Sequence, residues 1–101
     1  MRRAAKRDAN QPEIVAALRK IGVFVVDLAS AGDGIPDLLC GWHGSWKLVE
    51  VKDGSRPPCE RQLTPDQIKF HAVCAERGLP CVVVNSVDEV LSLFRGEFDG
   101  N

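Results

Sequence analysis

Asp37, Glu50 and Lys52 stand near the ends of the stretch GIPDLLCGWHGSWKLVEVKDG, two acids thirteen positions apart and a lysine two places beyond the second. Most residues between them are apolar, so charge interrupts a segment that otherwise suits a core. Two carboxylates brought together repel unless one keeps its proton or a cation joins them. Mg²⁺ meets that need, because it takes hard oxygen ligands, commonly one or two carboxylates completed by water and substrate phosphate. Asp37 and Glu50 are candidate ligands, and the Val51 carbonyl between Glu50 and Lys52 is a further candidate oxygen. An ammonium beside such an ion is a poor general base. Its expected contribution is to orient a water and to stabilise charge that develops on a phosphoryl group.

This chemistry requires the two acids to meet, which a hairpin would achieve. One strand is expected after Pro36 through DLLCGW, and a second over SWKLVEVK, residues 45 to 52. With His43 and Gly44 as a two-residue turn, Trp42 faces Ser45, and counting back sets Asp37 opposite Glu50. Side chains alternate along a strand, so Glu50 and Lys52 share a face. A longer turn or a bulge would break this register. Taken singly, an Asp after Pro also suits a turn, and Glu-x-Lys on a strand also suits a solvated ion pair. Their alignment is what favours chemistry.

The remaining elements must carry that hairpin. A helix is expected over roughly residues 12 to 20, with Asn10 as cap, Pro12 in the first turn, Ile14, Leu18 and Ile21 as core stripe, and Gly22 as its end. VFVVDLA, residues 23 to 29, reads as a strand followed by the flexible connection SAGDG. The polar segment DGSRPPCERQL leads into LTPDQIKFHAVCAERG, a helix with Thr64 as cap, Pro65 in the first turn, Gln67 three places after the cap and Gly78 past its end. Ile68, Ala72, Val73 and Ala75 form its expected packing stripe, with Gln67, His71 and Cys74 on an adjacent one. PCVVVN reads as a buried strand and SVDEVLSLFRG as a last helix capped by Ser86. The order is helix, three strands, helix, strand, helix, an α/β domain with a mixed sheet and a helical crossover.

A chain of 101 residues accommodates one domain. Its expected divisions are a basic arm over residues 1–11, a folded body over 12–95 and a short tail over 96–101. The formal net charge of -1 leaves nucleic acid open as a partner, since binding depends on where the charge lies. Arg2, Arg3, Lys6 and Arg7 are opposed only by Asp8 in the arm. Lys6, Arg7, Arg56, Arg61 and Lys69 are candidates to guide a phosphate backbone, although each also suits a solvated surface. Cys40, Cys59, Cys74 and Cys81 contain no C-x-x-C pair, and His43 and His71 complete no zinc spacing. Thiols of this kind with no secretory segment point to a reducing cytoplasm. No apolar run reaches membrane-spanning length. Trp42 and Trp46 flank the turn, where packing is expected ahead of base stacking.

IPDLL, a spacer and LVEVK together resemble the PD-(D/E)XK nuclease signature. The wider arrangement of RDANQPEIVAALRKIG, GIPDLLCG, WKLVEVKDG and LTPDQIKFH is similar to the small phage and bacterial VRR-NUC nucleases, and through them to Holliday-junction-resolving enzymes. It extends from about Asp8 to Phe94. The resemblance implies a restriction-endonuclease-like core: a helix, a three-stranded antiparallel segment, a crossover helix, a fourth strand and a final helix. It implies that Asp37 and Glu50 bind metal, that Lys52 is catalytic, that Glu13 adds an acid from the first helix, and that Gln67 supports catalysis from the helix after the hairpin. Apart from the resemblance, Glu13 is an ordinary first-turn glutamate and Gln67 a capping-box residue.

The implied activity is Mg²⁺-dependent hydrolysis of phosphodiester bonds in DNA, with Mn²⁺ as a substitute and a preference for flap, branched or junction structures. A homodimer is implied by junction resolution, with replication, recombination or packaging proteins as partners and the host cytoplasm as location if the chain is phage-encoded. Two other readings stay open at this point. One is a non-catalytic DNA-binding or assembly protein that keeps the fold; the other is an accessory subunit active only in an oligomer or larger complex.

Overall fold

A tight turn sets the register of the sheet. In the computed structural model, which describes residues 8–99, strands β2 (Leu38–Trp42) and β3 (Ser45–Val51) are joined by His43 and Gly44, with φ of 49° and 82°. Left-handed values at both central positions produce a turn whose twist matches that of the flanking strands. Trp42 pairs with Ser45 and Leu38 with Val49, as the count from the turn requires. One further step of the same register sets Asp37 across from Glu50. Strand β1 (Phe24–Asp27) pairs antiparallel with β2, and β4 (Cys81–Val84) pairs parallel with β3, giving the order β1-β2-β3-β4.

Alternation then divides the sheet into two faces. Val25, Leu38, Cys40, Val49, Val51 and Val84 point to one face, where Ile14 and Leu18 of helix α1 (Gln11–Lys20) and Val90 and Phe94 of helix α3 (Val87–Asp99) join them in one buried core. Each such side chain contributes about 1.5–3 kcal/mol when fully buried. Helix α2 (Pro65–Glu76) makes the crossover between the parallel strands β3 and β4 and meets the opposite face, which bears Glu50 and Cys81. The topology is therefore helix, three strands, helix, strand, helix, as expected. Among the described residues, no helix is long and apolar enough to cross a membrane.

Helix α2 packs in the opposite sense to the expected one. Ile68 and Val73 are 55% and 47% exposed, and Ala72 and Ala75 are exposed as well, whereas Cys74 is buried and Gln67 and His71 are half-buried. A carboxylate buried on the facing strand needs donors, so the polar stripe turns inward and the aliphatic stripe turns out. Strand β4 also departs from expectation: it lies at the sheet edge, and only Val84 in it is fully buried. The last helix continues to Asp99, four residues into the segment expected as a tail.

Two local devices bring the ends of these elements together. Asn10 stands at the cap position of α1, yet its side chain makes no cap bond. Its amide instead donates to the carbonyls of Lys52 and Asn85, both at 3.1 Å, tying the start of α1 to the ends of β3 and β4. Gly34, at φ 76°, lies so close to α2 that a Cβ would stand 2.3 Å from the Asp66 carbonyl oxygen. Only glycine permits both that conformation and that approach.

Candidate functional site

Asp37 lies one residue before β2, where the ladder with β3 would otherwise stop. Its Oδ2 accepts a hydrogen bond from the Val51 N–H at 2.8 Å, so a side chain continues the ladder that the backbone leaves unfinished. Within a strand, the N–H and C=O of one residue leave on the same side. The Val51 carbonyl is therefore turned to the Asp37 edge too. Glu50 is 1% exposed and accepts from the Gln67 Nε2 at 3.2 Å, with the His71 Nε2 3.4 Å from its other oxygen. Gln67 uses its Oε1 twice, accepting from the Lys52 Nζ at 3.0 Å and from the Thr64 N–H at 2.9 Å. The Gln67 N–H also donates to the Thr64 hydroxyl, completing a capping box. One glutamine thus closes a helix terminus and bridges the acid to the lysine.

The electrostatics follow from this crowding. Burial pushes the Glu50 carboxyl up to about 8, the hydrogen bond to Asp37 and the Asp37 charge push in the same direction, and Lys52 offsets part of the rise. Asp8 is raised as well, by burial first, with Lys52 opposing and Asp37 adding to the shift. His71 is lowered by burial and then by the Lys52 charge, which favours a neutral imidazole. A cleft of about 610 Å³ is lined by Asp8, Asp37, Glu50, Val51, Lys52 and Gln67 among others.

These donors suit a hard divalent cation. Two carboxylates and a strand carbonyl are oxygen atoms that could face an ion on one edge, and the Glu50 carboxyl is raised by burial first and then by Asp37, with Lys52 offsetting only part. Among the described residues, no group of three or more His, Cys, Asp or Glu side chains is gathered to enclose an ion. Asp37, Glu50 and the Val51 carbonyl would supply only part of a shell, which for Mg²⁺ water and phosphate commonly complete.

The other residues singled out in the sequence are distributed around this cleft. Glu13 and Arg61 line an adjoining cavity of about 570 Å³, which shares Asp53 with the cleft. The acids that join Asp37 and Glu50 in lining the cleft are Asp8, Asp53 and Glu60, and Glu13 is not among them. Arg56 stands in the cleft wall, bonded to Glu60 at 2.9 Å and 4.0 Å from Asp53. Lys69 lines a separate, mostly apolar cavity with Phe70, Val73, Cys74 and Leu79. Lys6 and Arg7 lie outside the described residues. Trp42 packs edge-on against Phe94 with ring centroids 6.3 Å apart, whereas Trp46 is 53% exposed and meets Phe24 at 5.9 Å.

Sequence reasoning missed Asp8 beside the cleft, and it left out His71, which could face the site but equally suits a satisfied polar residue on a helix flank. Asp8 counted only as a charge opposing the basic arm, and no local pattern signals the tertiary bonds of Asn10 that bring it in. His71 carried a legible signal, since it lies four residues after Gln67 and so shares its helix face. In comparisons with known proteins, no family model matches the chain, and no curated protein or solved structure matches it either.

Proposed function

We propose that this chain is a divalent-metal-dependent nuclease of the PD-(D/E)XK kind, built on a restriction-endonuclease-like core and hydrolysing phosphodiester bonds in DNA. The observation that carries this reading is the single cleft in which Asp37, fastened to the Val51 N–H, stands beside the buried Glu50, with Lys52 linked to Glu50 through Gln67. Asp37, Glu50 and the Val51 carbonyl would hold Mg²⁺ or Mn²⁺. When bound, such an ion supplies Lewis-acid stabilisation of the phosphoryl oxygens and a more acidic water.

The chain's own groups have separate tasks. Lys52 holds an ammonium at the cleft, where it orients a water and stabilises negative charge growing on the phosphoryl oxygens. Gln67 restrains that ammonium by accepting from it and restrains Glu50 by donating to it. Asp8 adds negative charge at the same mouth. Arg56 meets the phosphate backbone, since its ion pairs with Glu60 and Asp53 are exposed ones that contribute little and exchange easily. Lys6 and Arg7, immediately before Asp8 in sequence, are proposed as phosphate contacts from their charge alone. A domain of this size has little area for reading base edges, which favours selection of flap, branched or junction DNA over selection by sequence. Paired cuts at a junction would take two copies of the chain.

The test is a cleavage panel of duplex, single-stranded, flap and four-way-junction DNA with Mg²⁺, Mn²⁺ or chelator. Cutting is expected only with metal, strongest on a branched substrate, and absent from Asp37→Asn, Glu50→Gln and Lys52→Ala proteins that remain folded. Cutting in chelator, or cutting by contaminant-free Lys52→Ala protein at the wild-type rate, would overturn the assignment.

A further inference from the structure

Away from the cleft, the sheet carries an aromatic pair that neither the core nor the proposed reaction uses. Phe24 of β1 pairs with Gly41 of β2, and Gly41 pairs with Trp46 of β3, so the three form one row on one face. It is the face that bears Glu50. Gly41 puts no side chain into the middle of the row, and the two rings converge across it, with centroids 5.9 Å apart and planes at 60°. The approach is close, since a Cβ on Gly41 would stand 3.0 Å from the Trp46 Cζ3. Phe24 and Trp46 are nevertheless 60% and 53% exposed. With Gly22 and the turn residues His43 and Gly44 they help to line a cavity of about 370 Å³. Its surroundings are basic. Among the described residues, no acid lines it, and the charged residues nearest to its lining in sequence are Lys20 and Lys47. The exposed Arg19 donates at 3.1 Å to the carbonyl of Val25, the neighbour of Phe24.

We propose that Phe24 and Trp46 form a stacking subsite for an unpaired DNA base, with the basic last turn of α1 beside the adjoining phosphates. Charge selects this occupant: a second copy presenting the same face would bring like charges together, whereas a polyanion is attracted. Exposed rings amid basic side chains suit single strands, because every base has a π-face and stacking tolerates any sequence. A base inside a duplex has no free face to offer. This rests on DNA being the partner, as proposed above, and gives the selection of flap or single-stranded segments a physical origin. Trp46 lies four residues before Glu50 on β3. That separation is about 13 Å, the rise of about four stacked nucleotides.

The test is binding of a short fluorescein-labelled oligothymidylate, read by anisotropy in chelator so that no cutting intervenes. Trp46→Leu is expected to weaken binding by about tenfold, and Phe24→Leu to weaken it as well. Trp46→Phe, which keeps a ring, is expected to retain most of the affinity. Blunt duplex DNA is expected to bind equally to all of these proteins, whose exposed substitutions leave the denaturant midpoint unchanged. Equal affinity of wild-type and Trp46→Leu proteins for the oligonucleotide overturns the subsite and leaves the nuclease reading standing. Equal losses in Trp46→Leu and Trp46→Phe, or an equal loss on duplex, also overturn it. A solution mass that falls from two chains to one in Trp46→Leu assigns the face to a second copy instead and overturns the subsite. Trp46-dependent binding by a wild-type protein that cuts nothing with Mg²⁺ or Mn²⁺ overturns the nuclease reading and leaves the subsite.

Discussion

Replacing Glu50 with glutamine should change how the stability of the metal-free protein depends on pH. In the folded chain the carboxyl keeps its proton up to about pH 8, against an ordinary 4.5. Below pH 4.5 the folded and unfolded chains both carry that proton, and no penalty arises. Between 4.5 and 8 the unfolded chain has released it and the folded chain has not, so the folded state binds the extra proton and stability falls as pH rises. At about 1.4 kcal/mol per pH unit, the whole window amounts to on the order of 4–5 kcal/mol. That is a large part of the roughly 5–15 kcal/mol expected for a small domain. Above pH 8 the folded carboxyl ionises too, and the loss levels off.

The Glu50→Gln protein keeps the shape and lacks the ionisation. It also suffers a constant cost, because Gln67 and His71 stand against the two different oxygens of this side chain and an amide presents an oxygen at only one end. That cost displaces the whole curve and leaves the slope as the readout. His71 works in the opposite sense: its lowered pKa makes stability fall as pH drops through the imidazole range, but it is present in both proteins and largely cancels in their difference. Urea unfolding with chelator, at half-unit steps from pH 4.5 to 9, should therefore show the wild-type protein losing several kcal/mol relative to the variant as pH rises, about 1.4 per unit at the steepest. Saturating Mg²⁺ should restore the wild-type protein selectively, by the amount its affinity allows. Parallel stability curves for the two proteins in chelator would refute the reasoning, since they would mean that Glu50 ionises in the folded chain as readily as in the unfolded one.

Other outcomes follow from the same geometry. Lys52→Met should lower the cleavage rate by roughly 10²–10³ while Mn²⁺ binding persists, because the ammonium acts on developing phosphoryl charge; an unchanged single-turnover rate would contradict this. Gly34→Ala should destabilise the fold by at least about 2 kcal/mol, since a Cβ 2.3 Å from the Asp66 carbonyl oxygen must displace α2 from the loop at a backbone φ of 76°. Denaturant midpoints would check it, and a neutral result would mean that α2 is not seated on that loop. Thr64→Ala should cost about 1 kcal/mol through the capping box, with a second effect on cleavage because the Gln67 N–H loses the Thr64 hydroxyl as acceptor, although the Thr64 N–H still donates to the Gln67 Oε1. A normal rate in that variant would show that the contacts of Gln67 to Glu50 and Lys52 suffice to hold it.

What the sequence made legible, and what it did not, follows from the range of the forces involved. The pairing of Asp37 with Glu50 could be counted because a two-residue turn and a period of two propagate without outside help, and the φ values of His43 and Gly44 are those such a turn requires. The order of helices and strands was legible for the same reason, each being bounded by its own caps and breakers. Helix α2 was misread because its periodicity supports two stripes, and hydrophobicity alone chooses the aliphatic one. The choice is made instead by a polar group on another element: a carboxyl buried at the sheet face costs more when left without partners than Ile68 and Val73 cost when left in water. Once Glu50 is fixed on that face, the polar stripe must face it, and His71 comes with Gln67 into the site. A polar stripe on a crossover helix, following a strand that carries a buried acid, is therefore better read as the packed face of the helix than as its solvated one.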